Sequence, residues 1–304
     1  MLITVAIINN QNKQVKNIIA QLMDLDYKPD TIYVLPDSKD IKAIKKYPEV
    51  EIIDCENGNA RNLAIQKFMK SGNDILIFMN SDCTPDTKDF LKNYELLLNN
   101  YDIVFGTRRY TDVSRLKTPP VDFLVANIDN MYRNKKFNYT DLRIVSGAVT
   151  TWKNAKTFEE KLDLILTGMI CQCGNFGITH KGLKQLMKFQ KNTYGLNDGI
   201  FDTRLDIEGY CDIALGIDAI CAGLDIGISD GVRVIQTSRN RMGKNIDDIN
   251  MHHLAMEHYR MLENTSTLWE KLKNIALVAS AFFTAGLITG MVTYAVSMQQ
   301  ILGQ

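Results

Sequence analysis

The feature that most constrains the fold is a regular alternation of two kinds of segment over the first 80 residues. Short apolar runs rich in β-branched residues, typical of strands buried in a parallel sheet, alternate with segments whose apolar residues have helical spacing. The predicted strands are residues 2–8, 31–35, 50–53 and 74–79, and the predicted helices are residues 15–25, 41–46 and 59–70. This order predicts an α/β fold with a mostly parallel central sheet, right-handed crossovers and helices on both faces.

Further elements are predicted downstream, where the alternation is less regular. The predicted strands are residues 103–106, 144–151, 176–179 and 231–237, and the predicted helices are residues 180–189 and 212–222. Between the first two of these strands, residues 107–141 contain a Pro-Pro pair and a mixed basic and aromatic stretch. A long irregular segment of this kind is interpreted as a lid or as an acceptor-side segment.

Polar residues follow three of the predicted strands at the point where each strand ends. They are Asn9-Asn10, Pro36-Asp37 and Asn80-Ser81-Asp82. In open sheets of this type, ligands bind at the carboxyl ends of the strands, so the clustering indicates a binding site there. Asp82 suits a divalent metal, which needs only one or two carboxylates when phosphates supply other ligands. Taken alone, however, an Asp or Asn after a strand is more often a turn former.

Charge and cysteine content narrow the function classes. Lysine plus arginine and aspartate plus glutamate number 35 each, so the net charge of zero gives no indication of a nucleic-acid partner. Among the six cysteines, Cys171 and Cys173 have no second pair at zinc-finger spacing. No signal peptide is recognised at the N-terminus, so a reducing cytoplasm is the expected location.

Four segments, taken together and in order, carry a resemblance to a known family. They are residues 5–12, the Gly-Asn-Ala-Arg-Asn of 58–62, the Phe-Met-Asn-Ser-Asp-Cys-Thr-Pro of 78–85, and residues 174–183 followed by Phe201-Asp202. Over residues 2–237 the chain resembles the inverting family 2 glycosyltransferases. The resemblance implies a Rossmann-like A-type glycosyltransferase fold, followed by C-terminal helices, and a nucleotide-sugar donor.

The resemblance implies that Asp82 binds Mn²⁺ or Mg²⁺. Asn80 stands where the family more usually has an aspartate, so it is at best a neutral carbonyl ligand. Family members often carry a metal-binding or donor-binding histidine after the last strand, and this chain has Gln236 there. His253, or its neighbour His252, would then reach back to the metal; the alternative is that both lie on an ordinary helix surface.

The resemblance also implies the residues that hold the donor. Asn9 and Asn10 would lie in the nucleotide-contacting turn, and Asp37 would contact the base or the ribose. Arg61 would lie near the diphosphate, because a planar guanidinium suits phosphate oxygens. The alternative for Arg61 is a surface salt bridge at the start of a helix.

Residues 208–223 resemble the acidic helix start of the family, where a carboxylate deprotonates the acceptor hydroxyl. Direct displacement at an anomeric carbon requires a base on the face opposite the leaving group. The family usually has Glu-Asp where this chain has Cys211-Asp212, so Asp212 is the candidate base, with Asp206 and Glu208 in reserve. The alternative is that Asp212 only caps the helix.

A C-terminal stretch, residues 275–298, contains no charged residue. As a helix it would be about 36 Å long, enough to cross a bilayer core of about 30 Å. It either anchors the enzyme to a membrane, with the catalytic domain on the cytoplasmic side, or packs in an oligomer or on the enzyme itself. The predicted organisation is a nucleotide-sugar-binding and acceptor domain at 1–237, a helical linker at 238–274 and this hydrophobic helix.

The resulting hypothesis is a transferase that moves a sugar from a nucleotide diphosphate, with UDP as the first candidate, to an acceptor hydroxyl with inversion. A glycan or lipid-linked acceptor is favoured over a modified DNA base, which only local basic clusters support. Two alternatives remain. One is a catalytically silent relative that binds or assembles, toward which Asn80, Cys211 and Gln236 point. The other is a nucleotidyltransferase, which the downstream segments disfavour.

Overall fold

The computed structural model describes residues 1–8, 12–35, 47–53, 60–110, 149–166, 171, 174–197, 199–201 and 210–236. All of them belong to Met1–Ala255, the first of two compact units into which the chain divides. Several predicted segments fall outside the described residues, namely 41–46, 111–148, 238–274 and 275–298. Among the described helices, none has both the length and the apolar character needed to cross a membrane.

One eight-stranded sheet forms the centre of the first unit. Its strands are β1 (Ile3–Ile8), β2 (Thr31–Leu35), β3 (Val50–Ile52), β4 (Ile75–Asn80), β5 (Cys83–Pro85), β6 (Ile103–Tyr110), β7 (Asn175–Thr179) and β8 (Ile226–Gln236). Their spatial order is β3-β2-β1-β4-β7-β6-β8-β5. Within this sheet β5 and β7 pair antiparallel to their neighbours, and the other six strands run in one direction. The predicted α/β fold with a mostly parallel sheet is confirmed.

The helices of the described residues cover this sheet. The longer ones are α1 (Asn12–Met23), α2 (Ala60–Ser71), α3 (Phe90–Leu98), α4 (Phe158–Leu166), α5 (His180–Tyr194) and α6 (Tyr210–Cys221). On α1 the buried residues follow helical spacing, and they are Val15, Ile18, Ile19 and Leu22. One apolar stripe therefore faces the core, as in an amphipathic surface helix.

The central strands β1 and β4 are buried along nearly their whole length. Ile3, Val5, Ala6 and Ile7 are each fully buried, and so are residues 75–79. Side chains of successive strand residues point to opposite faces, so burial of both sets requires a covering layer on each face of the sheet. This explains why these two strands are continuous apolar runs and not alternating ones.

The strands that share one direction end along one edge, which we call the carboxyl edge. In the ladders of β1, Ile8 lies opposite Leu35 of β2 and opposite Asn80 of β4. β6 and β8 end at the same edge, at Tyr110 and Gln236. The three strands for which the sequence predicted polar exits, β1, β2 and β4, therefore end side by side.

A buried amide ties the second half of the sheet together. Asn175, at the start of β7, is fully buried. Its Oδ1 accepts the Tyr94 hydroxyl at 2.9 Å, and its Nδ2 donates to the carbonyl of Val232 at 2.8 Å. A Cβ at Gly106 would overlap both that amide and the Val232 carbonyl. A glycine is therefore required where β6 passes between them, next to the irregularity between Gly106 and Arg108.

Several elements differ from the sequence predictions; β8 begins at residue 226 and not at 231, and the helix that begins at residue 180 ends at 194 and not at 189. Residues 149–154 are helical, although 149–151 were predicted to end a strand. Val149, Trp152 and Ala155 are buried at a three-residue interval, which is a helical spacing. β6 continues to Tyr110, so residues 107–110 do not belong to an irregular region. β5 was not predicted, because a three-residue strand containing Pro85 has no recognisable period.

Candidate active site

The Asn80-Ser81-Asp82 motif is held at the carboxyl edge by backbone hydrogen bonds on both sides. The Asn80 N–H donates to the carbonyl of Gly174 at 3.0 Å, and the Ser81 N–H donates to the carbonyl of Ile8 at 2.9 Å. Ser81 is buried, whereas Asn80 and Asp82 are half-buried. The Asp82 carboxylate therefore lies just beyond a buried strand, on backbone that is fixed to both neighbouring segments.

Asp82 is connected to Arg108 through Gln236, and we call these three side chains the edge network. Nε2 of Gln236 donates to Oδ2 of Asp82 at 2.9 Å. Oε1 of Gln236 accepts from Nη1 of Arg108 at 3.3 Å. Three neighbouring parts of the sheet, the ends of β4, β6 and β8, thus supply one connected set of polar groups.

The register between β5 and β8 brings Gln236 to Asp82. Cys83 lies opposite Gln236 in this antiparallel ladder, so the residue before Cys83 lies beside the end of β8. At the far end of the ladder, Nε of Arg233 donates to Oδ2 of Asp86 at 2.6 Å, and the Arg233 carbonyl accepts the Asp86 N–H at 3.1 Å. A slip of one residue would turn the Gln236 side chain to the other face of the sheet. The contacts between Arg233 and Asp86 oppose such a slip and so keep Gln236 beside Asp82.

Gly174 allows Asn80 and Arg108 to approach each other. A Cβ at this position would overlap both the Asn80 amide and the Arg108 guanidinium. Because both side chains contact the same backbone position, the positive charge of Arg108 lies beside the motif that carries Asp82. The sequence prediction had counted Arg108 only as part of a local basic cluster.

Burial raises the pKa of the Cys83 thiol to about 12, and the Arg108 charge opposes this shift only in part. Sγ of Cys83 lies 3.7 Å from Oδ1 of Asp82. The thiol is therefore protonated at neutral pH as long as no metal binds it. It is a neutral, buried neighbour of the carboxylate.

The carboxyl edge has few charged groups that could hold a metal. Among the described residues, no three His, Cys, Asp or Glu side chains come together as a metal site. Asp82 supplies one carboxylate and Asn80 one side-chain carbonyl, which are the oxygen ligands that Mg²⁺ and Mn²⁺ prefer. Mg²⁺ is commonly bound by one or two carboxylates together with waters and substrate phosphates. These residues therefore fit a cation that is bound jointly with a diphosphate.

Arg61 lies in the first turn of α2 with its guanidinium over an aromatic ring. Its Cζ is 5.0 Å from the centroid of Phe201, within the range of a cation–π contact. Phe201 in turn packs edge-on against Phe78 of β4, with ring centroids 5.7 Å apart. The guanidinium predicted to contact the diphosphate therefore has a rigid apolar support.

The Phe201 ring is fixed by the backbone contacts of two buried amides. Nδ2 of Asn62 donates to the Phe201 carbonyl at 2.7 Å, and the Phe201 N–H donates to Oδ1 of Asn62 at 3.0 Å. Nε2 of Gln190 donates to the carbonyl of Ile200 at 3.0 Å. Since a buried backbone group that loses its partner is destabilising, these bonds hold the segment against α2, through Asn62, and against α5, through Gln190.

The remaining predicted site residues have different outcomes. Asn9, Asn10, Asp37 and His253 lie outside the described residues, so their roles stay predictions. Asp212 lies in the first turn of α6, which begins at Tyr210 and not at Asp212. Asp212 is therefore a helical residue and not the N-cap that the alternative interpretation required, and its role as a base stays a prediction.

Sequence patterns did not reveal the contacts that organise this edge. Gln236 was noted as standing at a histidine position, but its contact with Asp82 depends on the β5–β8 register. Asn62 and Phe201 are 139 residues apart, and no local pattern pairs them. The Phe-Asp pair at 201–202 was recognised from the sequence. That pattern marked the segment along the chain, but it did not indicate that Phe201 contacts Arg61.

The sequence profile described as Glycosyl transferase family 2 matches residues 3–186. Because the match covers more than half of the 304 residues, the chain belongs to glycosyltransferase family 2. The resemblance inferred from the four sequence segments is confirmed. No sequence among the curated proteins matches the chain.

Solved structures are similar to this chain in fold. S. aureus TarS 1-349 has a TM-score of 0.55 at 14% identity, over 91% of this chain and 69% of that one. A second structure of S. aureus TarS has a TM-score of 0.52 at 15% identity, over 85% of this chain and 40% of that one. The mannosyltransferase PcManGT from Pyrobaculum calidifontis, in complex with GDP-Man and Mn²⁺, has a TM-score of 0.52 at 11% identity. The similarity covers 98% of this chain and 80% of that one. The predicted A-type glycosyltransferase fold is confirmed.

Proposed function

We propose that this family 2 glycosyltransferase moves a sugar from a nucleotide diphosphate to an acceptor hydroxyl with inversion and with help from a divalent metal. The observation that carries the proposal is the position of Asp82. It is a half-buried carboxylate held just past the end of β4, at the edge where the parallel strands end. Sheets of this kind bind their ligands at that edge.

Asp82 and Arg61 have complementary roles toward the diphosphate in this proposal. A bound Mn²⁺ or Mg²⁺ ion supplies positive charge that stabilises the leaving nucleoside diphosphate. Asp82 would hold that ion, Asn80 would add a neutral carbonyl, and His253 is proposed as a further ligand. Arg61, supported by Phe201, would donate two parallel hydrogen bonds to phosphate oxygens.

The nucleoside would be held by residues that follow β1 and β2. Asn9 and Asn10 come directly after Ile8, which lies opposite Asn80, and Asp37 comes two residues after Leu35, which lies opposite Ile8. UDP is the first candidate, and GDP is the second because the similar mannosyltransferase is in complex with GDP-Man and Mn²⁺.

Asp212 is proposed as the general base. Its carboxylate would take the proton from the acceptor hydroxyl while the hydroxyl oxygen attacks the anomeric carbon. The bond from that carbon to the diphosphate breaks in the same step, so the configuration is inverted. Asp212 lies in the first turn of α6, in agreement with the acidic helix start on which the proposed role rests.

The acceptor is proposed to be a glycan or a lipid-linked molecule. A modified DNA base is the weaker candidate, because the net charge is zero and DNA-binding proteins usually carry a positive surface. Residues 275–298 are proposed to contact a membrane or a second copy of the chain. A membrane contact would favour the lipid-linked acceptor.

The decisive experiment measures donor hydrolysis and sugar transfer by the full chain with a panel of UDP- and GDP-sugars, with and without Mn²⁺. We expect turnover with one donor class, and its loss when EDTA removes the metal. Asp82→Ala and Asp212→Asn should each abolish most of this turnover. Asp89→Ala and Asp225→Asn are matched controls, because both carboxylates are exposed.

Two results would overturn the proposal in different ways. If Asp82→Ala and Asp212→Asn both keep wild-type turnover, the site assignment is wrong. If the wild-type chain binds neither UDP nor GDP, the protein is a silent relative that uses the same fold for binding or assembly. Partition of a chain truncated after Asn274 between membrane and buffer tests the proposed role of residues 275–298.

A further inference from the structure

We propose that two buried residues, Gln190 and Asp218, position the base for the transfer reaction. They join α6, the helix that carries Asp212, to the segment that supports Arg61 on the donor side of the site. Both are positioning residues, and neither is proposed to touch the substrate. The inference deepens the proposed function and rests on it, because it takes Asp212 as the base and Arg61 as the group that contacts the diphosphate.

The peptide bond between Ile200 and Phe201 is bound from two sides. Its N–H, which belongs to Phe201, donates to Oδ1 of Asn62 on α2 at 3.0 Å. Its carbonyl, which belongs to Ile200, accepts from Nε2 of Gln190 on α5 at 3.0 Å. A Cβ at Gly199 would lie 2.2 Å from Oδ1 of Asn62, so the chain runs directly against α2 here. Because a peptide unit is planar and rigid, this one holds α2 and α5 at a defined separation.

Asp218 extends this connection to α6. Its carboxylate lies in the second half of the helix and the residue is only 3% exposed. Oδ2 of Asp218 accepts from Nε2 of Gln190 at 2.7 Å, and Oδ1 accepts the hydroxyl of Tyr194 at 2.9 Å. Hydrogen bonds to a carboxylate are stronger than those between neutral groups, and burial protects them from competition with water. One buried amide therefore joins α6 to the Ile200 carbonyl.

The orientation of the Gln190 amide is unfavourable for one of its atoms. Nε2 faces two acceptors, the Ile200 carbonyl and the Asp218 carboxylate, and it needs both of its hydrogens to satisfy them. Within the part of the chain that the structure describes, the buried Oε1 of Gln190 has no hydrogen-bond partner. A buried acceptor without a partner destabilises a fold. The amide thus joins the two acceptors at a cost in stability, which indicates a role beyond stability.

The tether at Asp218 restricts the movement of the whole helix. Asp218 lies six residues after Asp212 on α6. In an α-helix, six residues correspond to about 9 Å along the axis and about 600° of rotation, so the two positions lie on different sides of the helix. A bond at Asp218 therefore limits both the sliding and the rotation by which Asp212 would be displaced.

The expected consequence is a separation between donor binding and sugar transfer. Loss of the Gln190 amide releases α6 but leaves both bonds between Asn62 and Phe201, so the support of Arg61 remains. The donor should then bind almost as tightly as before. The rate of transfer should fall, because a displacement of about 1 Å in a reacting group can cost about 10²-fold.

A purely structural role for Gln190 makes a different prediction. If the amide only stabilises the fold, its replacement lowers the number of folded molecules and leaves the rate of each folded molecule unchanged. Dividing the rate of transfer by the number of nucleotide-binding sites in the same preparation separates the two roles.

The test compares Gln190→Met with the wild type as full chains, using the donor from which the wild type transfers sugar. Calorimetric titration with UDP or GDP in the presence of Mn²⁺ gives the Kd and the number of sites. We expect kcat per site to fall about tenfold or more. The Kd of the nucleotide should stay within about threefold of the wild-type value. Hydrogen–deuterium exchange should become faster in the first half of α6.

A matched control is available on the same helix. Gln185 also lies on α5, and its Nε2 donates to the carbonyl of Ala222, directly after α6, at 2.7 Å. Gln185→Met therefore makes the same chemical change and removes a contact with the other end of α6. It should lower the melting temperature and leave kcat per site unchanged.

A second pair of variants tests the link from the side of α6. Asp218→Asn keeps an oxygen that can accept from Gln190 and should retain most of kcat per site. Asp218→Leu has no such oxygen and should lose kcat as Gln190→Met does. Should Gln190→Met fail to fold, the difference between these two variants carries the test.

The inference is overturned if Gln190→Met keeps the wild-type kcat per site, or if Gln185→Met loses as much. It is also overturned if Asp218→Asn and Asp218→Leu lose kcat to the same extent. Failure of the proposed function looks different, because the wild type itself would then transfer no sugar from any donor. The link is still measured in that case, since equal exchange in the first half of α6 for Gln190→Met and Gln185→Met would overturn it.

Discussion

The two edges of the central sheet both carry carboxylates, but these carboxylates have different partners. At the edge where the strands begin, which we call the amino edge, Asp30 accepts the backbone N–H of Ile3 at 2.7 Å. Asp102 accepts the backbone N–H of Asp225 at 3.1 Å and also pairs with Lys181 at 3.2 Å. These carboxylates satisfy backbone donors at the starts of strands and so stabilise the fold.

At the carboxyl edge, Asp82 accepts instead from a side-chain amide, that of Gln236. The backbone of its motif is bound to neighbouring main chain, through Ser81 and Ile8 on one side. Oδ2 of Asp82 thus has a side-chain partner, whereas Asp30 and Asp102 accept from main-chain N–H groups. The comparison teaches that a carboxylate at a strand end becomes a site through its partners and not through its position alone.

The largest expected effect is a loss of sugar transfer when the carboxylate of the carboxyl edge is removed. Asp82→Ala should lower kcat/KM for sugar transfer by about 10²- to 10³-fold, because it removes the charged group that is proposed to hold the metal. The melting temperature should stay close to that of the wild type. Steady-state kinetics and thermal unfolding on the same preparation measure both quantities. A large loss of stability with Asp82→Ala would show that this carboxylate is structural, like those of the amino edge.

The reverse pattern is expected at the amino edge. Asp102→Ala should lower the free energy of unfolding by about 1.5–3 kcal/mol, because a buried charged acceptor of a backbone N–H is lost. Turnover per folded molecule should not change. Urea unfolding and transfer assays at a temperature where the variant is folded test this. Reduced turnover in a fully folded Asp102→Ala protein would contradict the division of roles.

A moderate effect is expected on the arginine side of the carboxyl edge. Phe201→Leu should raise KM for the donor about 2- to 10-fold, because the cation–π contact that positions Arg61 is lost. Phe201→Tyr keeps the ring and should retain most of the affinity. Donor titration by steady-state kinetics distinguishes the two variants. Equal behaviour of the leucine and tyrosine variants would mean that the ring does not position Arg61.

The smallest effect is expected for an exposed partner at the amino edge. The side chain of Lys181 is 81% exposed, so its ion pair with Asp102 is screened by solvent. Lys181→Met should change the free energy of unfolding by at most about 0.5 kcal/mol and leave turnover unchanged. Urea unfolding measures this, and a loss as large as that of Asp102→Ala would assign the stabilisation to the ion pair and not to the backbone bond.

The first half of the fold could be predicted from the sequence because its signals are local. β1 and β4 are continuous apolar runs, and α1 has one apolar stripe, so each element carries its own period. β5 could not be predicted, since three residues with a proline have no period of their own. Its existence depends on β8, which is about 150 residues further along the chain.

The candidate site shows the same division. Asp82 and Asn80 were recognisable because they follow a strong strand directly, and Arg61 because it stands in a matched helix start. The helix that carries Asp212 was predicted to begin at Asp212 but begins at Tyr210, so the N-cap alternative for Asp212 depended on a start placed two residues too late. Helix ends are set by local hydrogen bonds that the hydrophobic pattern does not record.

The sequence by itself determined the α/β class, the direction of the first strands and the presence of a carboxylate at their common edge. Hydrophobic periodicity and strand order are enough for these, because they depend on near neighbours in the chain. Only the tertiary structure decided the partners of that carboxylate. The contact of Asp82 with Gln236 and the support of Arg61 by Phe201 arise from strand register and from packing between segments more than a hundred residues apart, which no local pattern encodes.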